Sequence, residues 1–166
     1  MFSQVNFLQG RLDVMAVKAG TGIIIRRNGK VLVGRRKGSH GAGFLAFPGG
    51  HIDDIDDSLA SQVAREAMEE VGMVINMIDI DAGRQDLFTT FDILGENNRY
   101  LTAYLVADYV SGGDEYEPDK FTALEPDKCE GWFFLTLDEL VAKLQGEDQQ
   151  WIPTDCILHY RDIIQL

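Results

Sequence analysis

Three glutamates, Glu66, Glu69 and Glu70, sit close together in a segment that reads as a helix. At 3.6 residues per turn, Glu66 and Glu70 lie roughly 40° apart in projection, with Glu69 about 60° to the other side of Glu66. The three carboxylates therefore share one flank of the helix. Like charges at i,i+4 repel and weaken a helix, so the arrangement makes sense if a cation sits among them. Clustered carboxylate oxygens suit Mg²⁺, with Mn²⁺ as a second candidate. A glutamate pair at this spacing is also common on solvated helix faces, and the helix alone does not decide. The residues ahead of it do more. Pro48-Gly49-Gly50-His51 precedes the helix, and paired glycines let backbone approach a phosphate closely. Arg65 is placed to meet an acid of that loop.

The elements that must position these groups can be read from pattern. The helix begins near Asp57 or Ser58, both good N-caps, and runs to Val71. It stops at Gly72, a residue suited to the left-handed position after a helix. Leu59, Val63, Ala67 and Val71 recur every four residues, with Ala60 and Ala64 beside them, and form the core-facing stripe. Val14 to Arg27 is rich in β-branched residues. Asn28-Gly29 then separates it from Val31-Leu32-Val33, a strong hairpin signal. Lys37 to Gly43 reads as a loop, and Leu45-Ala46-Phe47 as a short strand.

Val74 to Ile80, Arg99 to Tyr109 and Trp132 to Leu135 read as further strands. Thr136-Leu137-Asp138-Glu139 has capping-box spacing and opens a helix through Leu144. A last helix is expected after Thr154. Strands with helices between and after them predict an α/β sandwich.

Composition narrows the partners. The chain has 166 residues, 15 Lys+Arg against 27 Asp+Glu, and a formal net charge of -12. One domain spanning residues 1–166 is expected. Such a surface repels long nucleic acid, which basic stripes hold. A small phosphate compound remains open to it if divalent cations screen the site. No apolar run is long enough for a membrane helix, and no secretory signal is seen. Only Cys129 and Cys156 are present, which fits a reducing, cytoplasmic setting. Asp114 to Glu130 is acid-rich and reads as an exposed loop. Glu125 and Glu130 within it are weak candidates for metal or base contacts.

Gly50 through Met73 resembles the Nudix box. The second half is intact as Arg65-Glu66-Ala67-Met68-Glu69-Glu70-Val71-Gly72-Met73. Two departures stand out. Six residues rather than five separate Gly50 from Asp57, and that acid is Asp rather than Glu. Asp56 would restore the first spacing and break the one to Arg65. Gly34-Arg35-Arg36-Lys37-Gly38-Ser39, Phe47-Pro48-Gly49-Gly50-His51 and Leu124 to Trp132 extend the likeness to MutT-type nucleoside-triphosphate diphosphatases.

The resemblance implies a Nudix α/β/α sandwich with a mixed central sheet, and a box at about residues 50–73. It implies Mg²⁺-dependent conversion of nucleoside triphosphates, modified or oxidised purines among them, to monophosphate and pyrophosphate. Glu66 and Glu70 would hold the metal, Glu69 would ligate it or serve as base, and Gly50 would contribute backbone. Asp57, Arg65 and Gly72 would support the box. Arg36, Gly49, Gly50, His51, Thr102 and Trp151 would meet substrate. A guanidinium such as that of Arg36 can grip two phosphate oxygens at once. Taken one at a time, a surface Arg, a structural His, a β-branched strand residue and a core-covering Trp explain Arg36, His51, Thr102 and Trp151 as well. Relatives with this likeness are homodimers. Hydrolysis of nucleotide sugars or of dinucleotides such as ADP-ribose or NADH is an alternative, as is a non-catalytic nucleotide sensor. The dense glutamate cluster argues against the sensor.

Overall fold

The computed structural model describes residues 17–37, 41–52, 55–77, 87–94, 98–145 and 161. A long first strand, β1 (Val17–Arg27), turns at Asn28 and Gly29 into β2 (Lys30–Arg36). Both turn residues have positive φ, 51° and 74°, as a hairpin turn matched to strand twist requires. The short β3 (Leu45–Ala46) pairs with β2 and leads into the Pro48–Ile52 segment. Helix α1 (Leu59–Val71) follows, then β4 (Met73–Met77), β5 (Leu87–Leu94) and β6 (Asn98–Gly112). β7 (Glu115–Glu117) and β8 (Lys120–Phe121) form a small hairpin before β9 (Cys129–Thr136) and helix α2 (Leu137–Gln145).

The sheet order is β4-β6-β1-β2-β9-β8-β7. β1 and β6 run parallel, while β1–β2 and β2–β9 are antiparallel, so the sheet is mixed. The free edge of β6 is shared lengthwise. β5 pairs along Asn98 to Leu105, and β4 pairs along Ala107 to Gly112.

Alternation along the central strands splits the core in two. Ile23, Ile25, Leu32, Leu105 and Ala107 pack with Val63, Ala67 and Val71 of α1. Ile24, Val31, Val33, Tyr104 and Val106 pack with Leu137, Leu140 and Leu144 of α2. A sheet covered on both faces needs continuous apolar runs rather than alternating ones, and Ile23-Ile24-Ile25 and Val31-Leu32-Val33 are such runs. Helix, sheet and helix thus form the expected α/β/α sandwich.

Both helices are capped as their sequences direct. Ser58, the second of the two candidates, is the N-cap of α1. Its hydroxyl accepts from the Ser61 amide while the Ser61 hydroxyl accepts from the Ser58 amide. Glu139 and Thr136 make the reciprocal pair ahead of α2. Each such cap contributes about 1 kcal/mol.

Two expectations are corrected. Ala64 is exposed, and the buried stripe of α1 instead includes Gln62. The acidic stretch Asp114 to Glu130 is not one loop, because it contains β7, β8 and the start of β9. The reason is Arg27. Its guanidinium pairs with Glu115 at 2.8 Å and with Asp119 at 2.7 Å, so these two acids are neutralised rather than repelled. The same group lies 4.5–5.2 Å from the ring centroids of Tyr109, Phe121 and Phe134. Residues 78–80 of the expected fourth strand lie outside the described residues, as do Trp151, Cys156 and, apart from residue 161, the expected last helix.

Candidate functional site

The Pro48–Ile52 segment is strapped to the edge of β1. The Ile23 amide donates to the Pro48 carbonyl and the Thr21 amide to the Gly50 carbonyl, each at 2.8 Å, and the Ile52 amide donates to Ala19 at 3.1 Å. Gly49 is required there. Its φ is +152°, and a Cβ would lie 2.1 Å from the Thr21 carbonyl oxygen. The strap holds the glycine backbone against one face of α1.

Glu70 and Glu66 both face this backbone. The Gly49 amide donates to Oε2 of Glu70 at 3.0 Å. Glu66 lies against Gly50, where a Cβ would come within 2.4 Å of its Oε1. Burial pushes the Glu70 carboxyl up to about 7; the Gly49 bond opposes the rise, and the charges of Glu66 and Glu125 add to it. Burial also raises the Glu66 carboxyl, against the pull of Arg65. Two carboxylates crowded against glycine backbone are thus costly to ionise together.

Glu69 is not brought to the same place. It is half-exposed and meets Nη1 of Arg65 at 2.8 Å. Arg65 also contacts Glu66 at 3.3 Å. Its main partner is Asp56, with Nη2 2.7 Å from Oδ2 and Nε bonding both carboxylate oxygens. The brace on Arg65 is therefore Asp56 rather than Asp57, which is exposed. The extra residue is absorbed between the loop acid and Arg65, where the Ser58 cap starts the helix. Asp56 keeps the family's five-residue spacing to Gly50. That spacing was the signal in the sequence, and it outweighed the spacing to Arg65. Gly72 ends the helix in the left-handed region at φ 74°, with its amide on the Met68 carbonyl at 3.0 Å.

Arg36, at the end of β2, is partly buried, which lowers its pKa, while the charge of Glu70 works the other way. Its guanidinium is thus within electrostatic reach of the glutamates. The His51 side chain is exposed, its ring centroid 6.2 Å from that of Tyr100. Thr102 is opposite Gly20 of β1 and Thr90 of β5. That register puts it on the sheet face opposite the one that α1 covers, since Thr21 and Ala103 alternate with it.

Two features were not anticipated. Gln62, one turn before Glu66, donates from Nε2 to the His51 carbonyl at 2.5 Å. It could have been found by counting back four residues from Glu66 and noting a polar side chain in the apolar stripe. The second is Lys128, which closes a turn with the candidate Glu125. Its ion pair is 2.8 Å long, and both charges are felt by Glu66 and Glu70. The turn is pinned from two sides. Leu124 donates its amide to the Glu70 carbonyl at 2.9 Å, and Lys37 donates its amide to the Lys128 carbonyl at 2.7 Å.

Among the described residues no three His, Cys, Asp or Glu side chains stand together as a ready metal cage. Glu66 and Glu70 nonetheless suit a hard divalent cation. They offer hard oxygen donors, and the missing Cβ of Gly50 leaves the room in front of Glu66. Magnesium commonly takes one or two carboxylates and keeps several waters.

A mixed sheet between two helices, with a carboxylate-rich helix held to a glycine strap, defines the class. The NUDIX domain profile matches residues 17–154, and the chain belongs to that family. The chain is similar to a MutT NUDIX hydrolase from Burkholderia pseudomallei, at 23% identity and a TM-score of 0.62, over 87% of this chain and 97% of that one. A NUDIX hydrolase from Nitrosomonas europaea matches at 18% identity and a TM-score of 0.67, over 90% and 92%. A UDP-X diphosphatase matches at 18% identity and a TM-score of 0.52, over 74% of this chain and 52% of that one. The family is one of hydrolases acting on pyrophosphate bonds. No helix among the described residues is long and apolar enough to cross a membrane.

Proposed function

We propose that the chain, residues 1–166 as one domain, is a Mg²⁺-dependent pyrophosphohydrolase. It converts nucleoside triphosphates, modified or oxidised purines foremost, to the monophosphate and pyrophosphate. The observation that carries this reading is the shared orientation of Glu66 and Glu70 toward Gly49 and Gly50. Glu66 and Glu70 hold the cation, with Mn²⁺ able to replace Mg²⁺, and backbone at Gly50 beside them. A bound divalent cation supplies charge against the phosphate oxygens and makes a neighbouring water more acidic.

The chain's own residues do the rest. Glu69 joins as ligand or takes the water's proton. Its contact with Arg65 holds it at the rim. Arg65 and Asp56 brace the strap. Arg36 grips phosphate oxygens, a role in which its burial strengthens the bond. His51, Thr102 and Trp151 meet the nucleoside. The protein works in the cytoplasm as a homodimer, with no long nucleic acid as partner.

A nucleotide panel with Mg²⁺ tests the activity. It should hold oxidised and unmodified purine triphosphates, UDP-sugars, ADP-ribose and NADH, with products separated by ion exchange. Pyrophosphate and monophosphate from the purine triphosphates are expected. Release of inorganic phosphate, or preferential cleavage of UDP-sugars or dinucleotides, would overturn the substrate assignment. Binding without cleavage would favour a sensor.

A further inference from the structure

Gln62, Glu66 and Glu70 recur every four residues on α1, and each meets a successive residue of the strap. Gln62 Nε2 donates to the His51 carbonyl, Glu66 lies against Gly50, and Glu70 accepts from the Gly49 amide. Helix and strap therefore run antiparallel, joined by three side chains in register. The outer two are hydrogen bonds and the middle one is a candidate metal ligand. Gln62 is only 1% exposed and is buried along with Val63, Ala67 and Val71, at the edge of the core-facing stripe. An apolar residue would suit that position better for folding alone. The amide is also incompletely satisfied. Its Oε1 is buried without a hydrogen-bond partner, as is the hydroxyl of Thr21 on the strand that carries the strap. Unsatisfied buried polar atoms cost stability, and a polar side chain kept at such a cost has a task other than packing.

We infer that Gln62 is a positioning residue: its bond to the His51 carbonyl fixes the height of Gly49 and Gly50 above Glu66 and Glu70. This inference rests on the activity proposed above for its catalytic consequence, though not for its structural one. Backbone on β1 holds the outer edge of the strap, through Thr21 and Ile23. Gln62 and Glu70 hold its inner edge from the helix. Loss of Glu70 would remove a metal ligand as well as a tether. Gln62 tethers without ligating, so it separates the two roles.

The test uses Gln62→Met, which keeps length and shape without the donor, and Gln62→Glu, which keeps the shape and, when ionised, only accepts. In the metal-free full chain, amide exchange in peptides covering residues 45–52 should rise about fivefold or more in both variants, with residues 26–31 unchanged. The melting temperature of Gln62→Met should equal or exceed that of the wild type. With Mg²⁺ and the preferred nucleotide, kcat should fall about tenfold, KM should stay within about twofold, and the Mg²⁺ activation midpoint should rise. Unchanged exchange at residues 45–52 would overturn the inference. So would exchange that rises equally across the β1–β2 hairpin, which would mark Gln62 as general packing. A wild-type protein inactive on every nucleotide, with the localised exchange effect present, would count against the proposed activity and leave Gln62 assigned to the strap.

Discussion

The Gly49 amide nitrogen lies 3.0 Å from Oε2 of Glu70. This bond joins a segment strapped to β1 with the last turn of α1, two elements that meet only through tertiary packing. The acceptor is a carboxyl that burial pushes up to about 7. A neutral, protonated Glu70 is therefore favoured in the metal-free fold over part of the physiological range. A cation reverses that preference.

Glu70→Gln should abolish most Mg²⁺-dependent turnover. It should also change how metal-free stability depends on pH. Glu70 has a folded pKa of about 7 against an ordinary value of 4.5. Between these values the unfolded chain has lost the proton while the folded chain keeps it, so stability falls as pH rises through the window. The full shift corresponds to roughly 3 kcal/mol, an upper bound. Thermal melts in EDTA at pH 5 and pH 8 should therefore show the wild type losing more stability than Glu70→Gln. Parallel losses in both proteins would be the wrong result.

The two glycines should fail differently. At Gly50 a Cβ would press on the Glu66 carboxylate, 2.4 Å from Oε1, which is the far end of a flexible side chain. Gly50→Ala should keep its fold, melt within a few degrees of the wild type, and lose turnover on the order of a hundredfold. At Gly49 the clash is with Thr21 backbone, and φ is +152°. Gly49→Ala should lower the melting temperature itself. Comparing melting and kcat for the pair checks both.

Asp56→Asn should weaken Arg65's hold on the loop, whereas Asp57→Asn should leave it intact. The expected loss of kcat is about tenfold for the first, the equivalent of roughly 1.4 kcal/mol in the barrier, and under twofold for the second. Equal effects, or a larger one at Asp57, would contradict the observed pairing at 2.7 Å.

Arg27→Met should destabilise the protein without touching the chemistry. The substitution keeps the stem and removes the cation from three rings and two acids. A loss of about 1–2 kcal/mol is expected, roughly 3–6 °C in melting temperature. The ratio kcat/KM at 25 °C should be preserved.

Much of this protein follows from local rules that a sequence carries in itself. Asn28-Gly29 turns because both residues tolerate positive φ, and α1 starts and stops where Ser58 and Gly72 cap it. The apolar runs of β1 and β2 call for cover on both faces, and the Glu66–Glu70 spacing puts two carboxylates on one flank. What local rules leave open is which groups meet across the chain. Asp56 rather than Asp57 reaches Arg65, Gln62 rather than Ala64 turns inward, and Arg27 converts an acidic stretch into a hairpin. Each outcome depends on distances between different elements of the fold. Those distances are set by how α1, the glycine strap and the sheet pack together.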